Sequence, residues 1–198
     1  MTGLVRESAP PQPQVLRTER LILRRWREAD LAPFRAMNAD AEVMRFFASP
    51  QDGAASDASA RRLTAFAETA RIGPWAVEVP GEAAFAGFVG CWPTRPNLPF
   101  APAIEIGWRI ARPFWGRGYA PEAGRAALRD AFDRAGVAEV LAYATHANAP
   151  SLHVMRKLGM TYSPAEDFLH FAFPADHPLA RHLVYRITAD AFRRAPGP

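Results

Sequence analysis

The chain has 198 residues, 49% apolar and 22% charged, the balance of a soluble globular protein with room for one sizeable core. Its net charge is +4, but the basic residues are scattered arginines with a single lysine, so the clustered basic face of a nucleic-acid binder is missing. The lone Cys91 excludes an internal disulfide and a multi-cysteine metal site, and the histidines lack H-E-x-x-H spacing, so no metal is expected. No apolar run reaches the roughly 18 residues of a membrane span. The start, "MTGLVRESAPPQPQV", has no apolar stretch of a secretion signal, and a cytoplasmic location is the expectation.

Residues 1–14 are Pro-rich and polar and read as a disordered tail, as does "RRAPGP" at 193–198. Between them, residues 15–192 show no repeat or linker and form one domain. "RLILRRW" alternates as a strand does. "EADLAPFRAMNAD" and "AEVMRFF" read as short helices. "SDASARRLTAFAETARIG" reads as a longer one, with Ser56 or Asp57 as cap and Gly73 as its close. "PWAVEVP" and "AAFAGFVGCWPT" read as a hairpin turning at "GE", and "AIEIGWRIA" as the next strand. From Tyr119 to Ala135 the apolar positions make a helical stripe. "EVLAYATH" is a strand, "NAPSLHVMRKLGM" a helix, and "FLHFAF" and "HLVYRIT" two closing strands. The fold class is α/β with a mixed sheet.

"PFWGRGYAPEA" falls where a strand has ended and a helix begins. A helix N-terminus carries unpaired N–H groups and a partial positive charge. Gly116 and Gly118 would let the backbone approach an anion there. The pattern is neither a P-loop nor G-x-G-x-x-G, and a simple strand-to-helix turn explains it equally well.

The run "EIGWRIARPFWGRGYAPEA" followed by "NAPSLHVMRKLGM" resembles the GNAT superfamily of N-acetyltransferases, and more closely its ribosomal-protein (RimJ/RimL-type) branch. "LRTERLILRRW" and "HLVYRIT" are similar to that branch's opening and final strands. The resemblance implies a mostly antiparallel sheet splayed between "EIGWRI" and "VLAYATH". It implies acetyl-CoA as co-substrate. The pyrophosphate would lie on the backbone of Gly116, Arg117, Gly118, Tyr119 and Ala120, beside Trp115. The pantetheine arm would pair with the strand edge at Trp108 and Ile110. Pro121 stands where the family often has Thr, which suits the first helical turn but removes an N–H and a hydroxyl from the anion site.

Acetyl transfer needs a neutral amine, a polarised carbonyl and a proton for the departing thiolate. Glu105 lies in an apolar strand, which raises a carboxyl pKa, and the matching family position carries the base. An ion pair with Arg109 is the competing reading. Asn148 is a natural N-cap, and the resemblance adds a hydrogen bond to the pantetheine arm. The resemblance makes Ser151 a proton donor to sulfur. Strand N–H groups near Trp108–Ile110 would polarise the thioester carbonyl. Cys91 has no paired His and is set aside as a nucleophile.

The acceptor is a primary amine, either a protein N-terminus or a small molecule. An α-amine, pKa about 7.7–8.0, is far more often neutral near pH 7 than a lysine at about 10.4. Its pocket is expected from Met44–Phe47, Ala58–Ile72, "RPNLPFAP" and "FPADHPLARH", with Phe46, Phe47 and Phe100 as lining and arginines favouring a carboxylate or acidic peptide. A homodimer is left open. The alternative is a module that binds acyl-CoA without turnover, and the behaviour of Glu105 separates the two.

Overall fold

A computed structural model describes residues 3–195. An antiparallel pair, β1 (Val15–Arg17) and β2 (Ile22–Arg24), leads into three helices, α1 (Leu31–Ala39), α2 (Ala41–Met44) and α3 (Gly53–Thr69). A meander follows: β3 (Pro74–Val79), β4 (Ala83–Pro93) and β5 (Ile104–Ile110). Then come α4 (Tyr119–Arg129), β6 (Glu139–Thr145), α5 (Ala149–Lys157), the two-residue strands β7 (Thr161–Tyr162) and β8 (Phe168–Leu169), β9 (Arg181–Thr188) and α6 (Ala189–Arg194). The sheet runs β1-β2-β3-β4-β5-β6-β9-β7, with β8 also on β9. Every pairing is antiparallel except β5 with β6, which is parallel and bridged only at Glu105 and Leu141. Beyond that bridge the two strands part.

Period-two alternation gives the sheet two different faces. On β4 and β5, Val89, Cys91, Ile104, Ile106 and Ile110 pack into one core with Ala123, Ala127 and Leu128 of α4 and Leu152 and Met155 of α5. Phe85 and Phe88 face the other way, against Phe34 and Met37 of α1 and Ala60 and Leu63 of α3. Glu105 and Arg109 alternate with the isoleucines, so they point to this second, aromatic side. One buried cluster ties the first strands to it. Both terminal nitrogens of Arg24 reach the Asp30 carboxylate at 2.8 Å, and its Nε reaches Glu78 at 2.8 Å.

Several expectations are corrected. The Pro-rich start does not stand away from the body over its described part, residues 3–14. Ala9 and Gln12 are buried, and Arg6 N–H donates to the Ala135 carbonyl at 2.9 Å. Gln12 Nε2 donates to Gly73 O and Arg134 Nη1 to Pro10 O. Donors of the segment thus reach domain carbonyls, and Arg25, Arg71 and Arg134 of the domain donate to carbonyls of the segment, a role that composition does not reveal. At the other end α6 runs to Arg194, inside the expected tail, while residues 196–198 lie outside those described.

Helix α3 starts earlier than expected, capped by Asp52, whose carboxylate accepts from Ala55 N at 2.8 Å. Ser56 is instead buried under Asn38, and Asp57 pairs with Arg35. The helix ends before Gly73, the turn being made by Arg71 at φ +58°. The stripe from Tyr119 is α-helical only to Arg129, and Asp130–Arg134 form a wider π turn. "FLHFAF" pairs only at Phe168 and Leu169, because the prolines and turns that follow break the ladder.

Candidate active site

The glycine loop sits at the end of β5. A 3-10 turn over Arg112–Phe114 leads to Trp115, and both Gly116 (φ +76°) and Gly118 (φ +80°) are left-handed. Gly118 is the residue before α4, and no side chain caps the first N–H groups of that helix. The turn between β1 and β2 braces the loop. Arg20 Nη1 donates to the Arg117 carbonyl at 2.9 Å, and its Nε to Glu122 of the first α4 turn at 2.7 Å. The Arg117 side chain turns away to Glu82 at 2.6 Å. Tyr119 is buried beneath the Arg20 guanidinium.

Ladder alternation decides which β5 groups face the gap. Ala111 N–H donates to Ala86 of the β4 side at 2.9 Å, so the backbone groups of Arg109 and Gly107 also face β4. Those of Trp108 and Ile110 face the opening. Trp115 Nε1 already donates to the Ile110 carbonyl at 2.6 Å. The edge therefore offers the Trp108 N–H and carbonyl and the Ile110 N–H.

A cleft of about 450 Å³ is lined by this edge, by Trp115, Gly116, Gly118, Tyr119 and Ala120, and by Pro121 and the start of α5. A second cavity of about 450 Å³ lies on the aromatic side and is lined by Glu105, Trp92 and Tyr143 among others. The two share Phe46, Phe47, Trp108, Arg109, Asn148 and Ser151. Asn148 caps α5, its Oδ1 accepting from Ser151 N at 3.2 Å. The cap places both side chains at the junction.

Glu105 is 8% exposed. Burial pushes its carboxyl up to about 7, against the Trp92 hydrogen bond, the nearby Tyr143 and the charge of Arg95, which pull it down. Trp92 Nε1 donates to Oε1, and Oε2 has no partner within the protein. The ion pair with Arg109 does not form. Both residues face the same way, but Gly107 between them leaves its space to the Trp92 ring. Arg109 instead donates to Asn38 Oδ1 and lies over the Phe47 ring at 4.3 Å. Burial lowers its pKa to about 10, and its Nε has no partner.

Phe46 and Phe47 line the second cavity, as do Met44, Arg62 and Phe66. Phe100 does not. It packs at 5.5 Å and 5.3 Å (ring centroids) on Tyr143 and Phe168. Sequence reasoning missed Trp92, Tyr143, His170 and His182 as wall residues. Only the alternation of "EVLAYATH" could have flagged Tyr143, as a polar aromatic two residues beyond the bridge. Cys91 is buried in the opposite face of β4, where burial raises its thiol pKa. Among the described residues no helix is long and apolar enough to cross a membrane.

Residues 20–161 match the acetyltransferase (GNAT) domain family. A curated relative, the FsC-acetyl coenzyme A-N(2)-transacetylase of Aspergillus fumigatus, is 36% identical over 99 residues, 44% of this chain and 42% of that protein. The chain thus spans less than half of that relative's length. Among solved structures, an acetyltransferase from Agrobacterium tumefaciens superposes with a TM-score of 0.73 at 26% identity, over 92% of this chain and 98% of that one. Mycobacterium smegmatis RimJ, in complex with CoA-disulfide, shares the fold with a TM-score of 0.67 at 21% identity, over 88% and 85%. The chain belongs to the GNAT acetyltransferase family.

Proposed function

We propose that this protein is an acetyl-CoA-dependent N-acetyltransferase that acts on a primary amine by direct attack on the thioester. The observation that carries this reading is the junction of two cavities at Trp108, Asn148 and Ser151. One cavity is lined by the uncapped start of α4, and the other by a buried carboxylate with one oxygen free of hydrogen bonds.

Acetyl-CoA supplies an acetyl group activated as a thioester. The N–H groups from Gly116 to Ala120 hold its pyrophosphate, with Pro121 contributing none. The Trp108 and Ile110 edge and the Asn148 side chain hold the pantetheine arm. Glu105 takes the proton of the incoming amine at Oε2 while Trp92 keeps Oε1 in place. A carboxyl near 7 is ionised often enough to accept that proton and basic enough to keep it. The N–C bond forms, the C–S bond breaks, Ser151 relays a solvent proton to sulfur, and Glu105 returns the amine proton to solvent. An α-amine suits this site better than a lysine, because a single base near 7 cannot readily deprotonate a group of pKa about 10.4. The RimJ/RimL-type branch also favours an α-amine.

Calorimetric titration with acetyl-CoA, with dephosphorylated pantetheine as control, tests the cradle. Binding that needs the pyrophosphate supports it, and none up to millimolar concentration overturns it. Tight binding without acetylation of any amine would favour the non-catalytic acyl-CoA module.

A further inference from the structure

The second cavity carries an unbalanced charge. Arg62 of α3, Arg95 beyond β4 and Arg109 of β5 line it, and Glu105 is the only carboxylate among its lining residues. That carboxylate is partly protonated near neutral pH. The two histidines in the wall add nothing to offset it. Burial and His182 hold His170 down to about 4, and burial lowers His182 as well. Among the described residues none of the three arginines makes an ion pair, and Arg109 Nε is buried without a partner.

Arg62 and Arg95 come from separate elements and lie near enough to repel each other. Glu105, Tyr143 and His170, whose ionisation the Arg95 charge also affects, line the same cavity as Arg95. Two like charges lining one cavity disfavour each other, and an anion between them relieves that cost. Phe34, Phe66, Phe88, Trp92 and Phe173 give the cavity an aromatic wall. The volume is that of a small-molecule site.

We infer that the acceptor is a small primary amine bearing a carboxylate on an apolar body, with Arg62 and Arg95 as the counter-ions of that carboxylate. This rests on the acetyltransferase reading above. The amine lies at Glu105, the carboxylate at the two arginines, and the apolar body against the aromatic wall. Arg109, also in the lining, adds positive potential. Polyamines and lysine-rich peptides are repelled by the same field.

The test is a panel of the amino acids in matched pairs, each free acid against its amide, with kcat/KM compared per neutral amine. Acetyl-CoA titration of the same preparation runs beside it. The free acids should be preferred by at least about tenfold, the size of one charge-assisted hydrogen bond. In Arg62→Ala and Arg95→Ala the preference should fall toward unity, and Arg95→Lys should restore most of it. All three variants should bind acetyl-CoA as the wild type does, since neither position lines the cofactor cleft. Amides accepted as well as acids, or no member acetylated while acetyl-CoA binds, would overturn the carboxylate inference alone. Failure to bind acetyl-CoA would overturn the acetyltransferase reading itself.

Discussion

The indole of Trp92 lies over Gly107, where a Cβ would stand 2.7 Å from its Cη2. The same ring hands its N–H to Glu105 Oε1. An absent side chain on β5 thus sets the orientation of the carboxylate two residues earlier on the same strand. In Gly107→Ala either the ring or the strand must shift. The Glu105 carboxyl then loses a hydrogen bond that favours its ionised form, and its pKa rises further. We expect kcat/KM to fall roughly 10- to 100-fold, and the rising limb of the pH–rate profile to move above 7. Acetyl-CoA affinity, read by calorimetry, should stay within about twofold of the wild type.

Replacing the base itself separates chemistry from binding. Glu105→Gln should lower kcat by on the order of 10²–10⁴ and abolish the limb near pH 7. It should also change stability. The folded protein keeps a proton on Glu105 between the ordinary carboxylate range and about 7, where the unfolded chain has lost it. The wild type therefore loses stability as pH rises through that window. The glutamine variant lacks this loss, so urea unfolding should find it gaining on the wild type between about pH 5 and pH 8, by at most about 3 kcal/mol. A constant difference across that range would remove the shifted pKa from the account.

The brace from Arg20 to the glycine loop can be cut without touching the cleft lining. Arg20→Ala frees the Arg117 carbonyl and the Glu122 carboxylate. Exposed ion pairs contribute little to stability, so the melting temperature should barely move. The loop should lose its fixed aim, and the acetyl-CoA dissociation constant should rise about five- to tenfold. Gly118→Ala, forced to keep φ near +80°, should cost about 1–2 kcal/mol of stability in addition.

Asp30 holds a guanidinium that has little other access to solvent. Asp30→Ala strands Arg24 in the core with Glu78 as its only acidic partner. The expected cost is about 3–5 kcal/mol in denaturant unfolding. No part of either cavity is lined by Asp30, so acetyl-CoA affinity below the transition should be unchanged.

Cys91 should be inert. It faces the aliphatic core, and burial together with Asp130 and Glu105 disfavours the thiolate. A maleimide should leave native enzyme unlabelled and fully active, and react only after unfolding. Loss of activity by labelling of the native protein would contradict this placement.

Periodicity and cap chemistry made much of this protein legible in its sequence. The strand "AIEIGWRIA", the helix after "GRGYA" and the Asn148 cap were readable because each depends on neighbours a few residues away. So was Glu105 as a carboxyl in apolar surroundings. Contacts between distant segments were not readable. The hold of Arg134 and Arg71 on residues 7–10 joins parts of the chain far apart in sequence. Asp52 displaced Ser56 as a cap because tertiary packing drew Ser56 beneath Asn38. The glycine that admits Trp92 looks, in sequence, like any weak point of a strand.

The family, the order of elements and the positions of the glycine loop and the buried carboxyl follow from local pattern and motif, and are legible along the chain. Folding alone makes Trp92, not Arg109, the partner of Glu105, gives the Ile110 carbonyl to Trp115, and brings Arg62 and Arg95 to the lining of one cavity. Each of these is a matter of which side chains a twisted sheet and its covering helices bring within a few ångströms. Charge and hydrogen bonding act through space, where separation along the chain has no bearing.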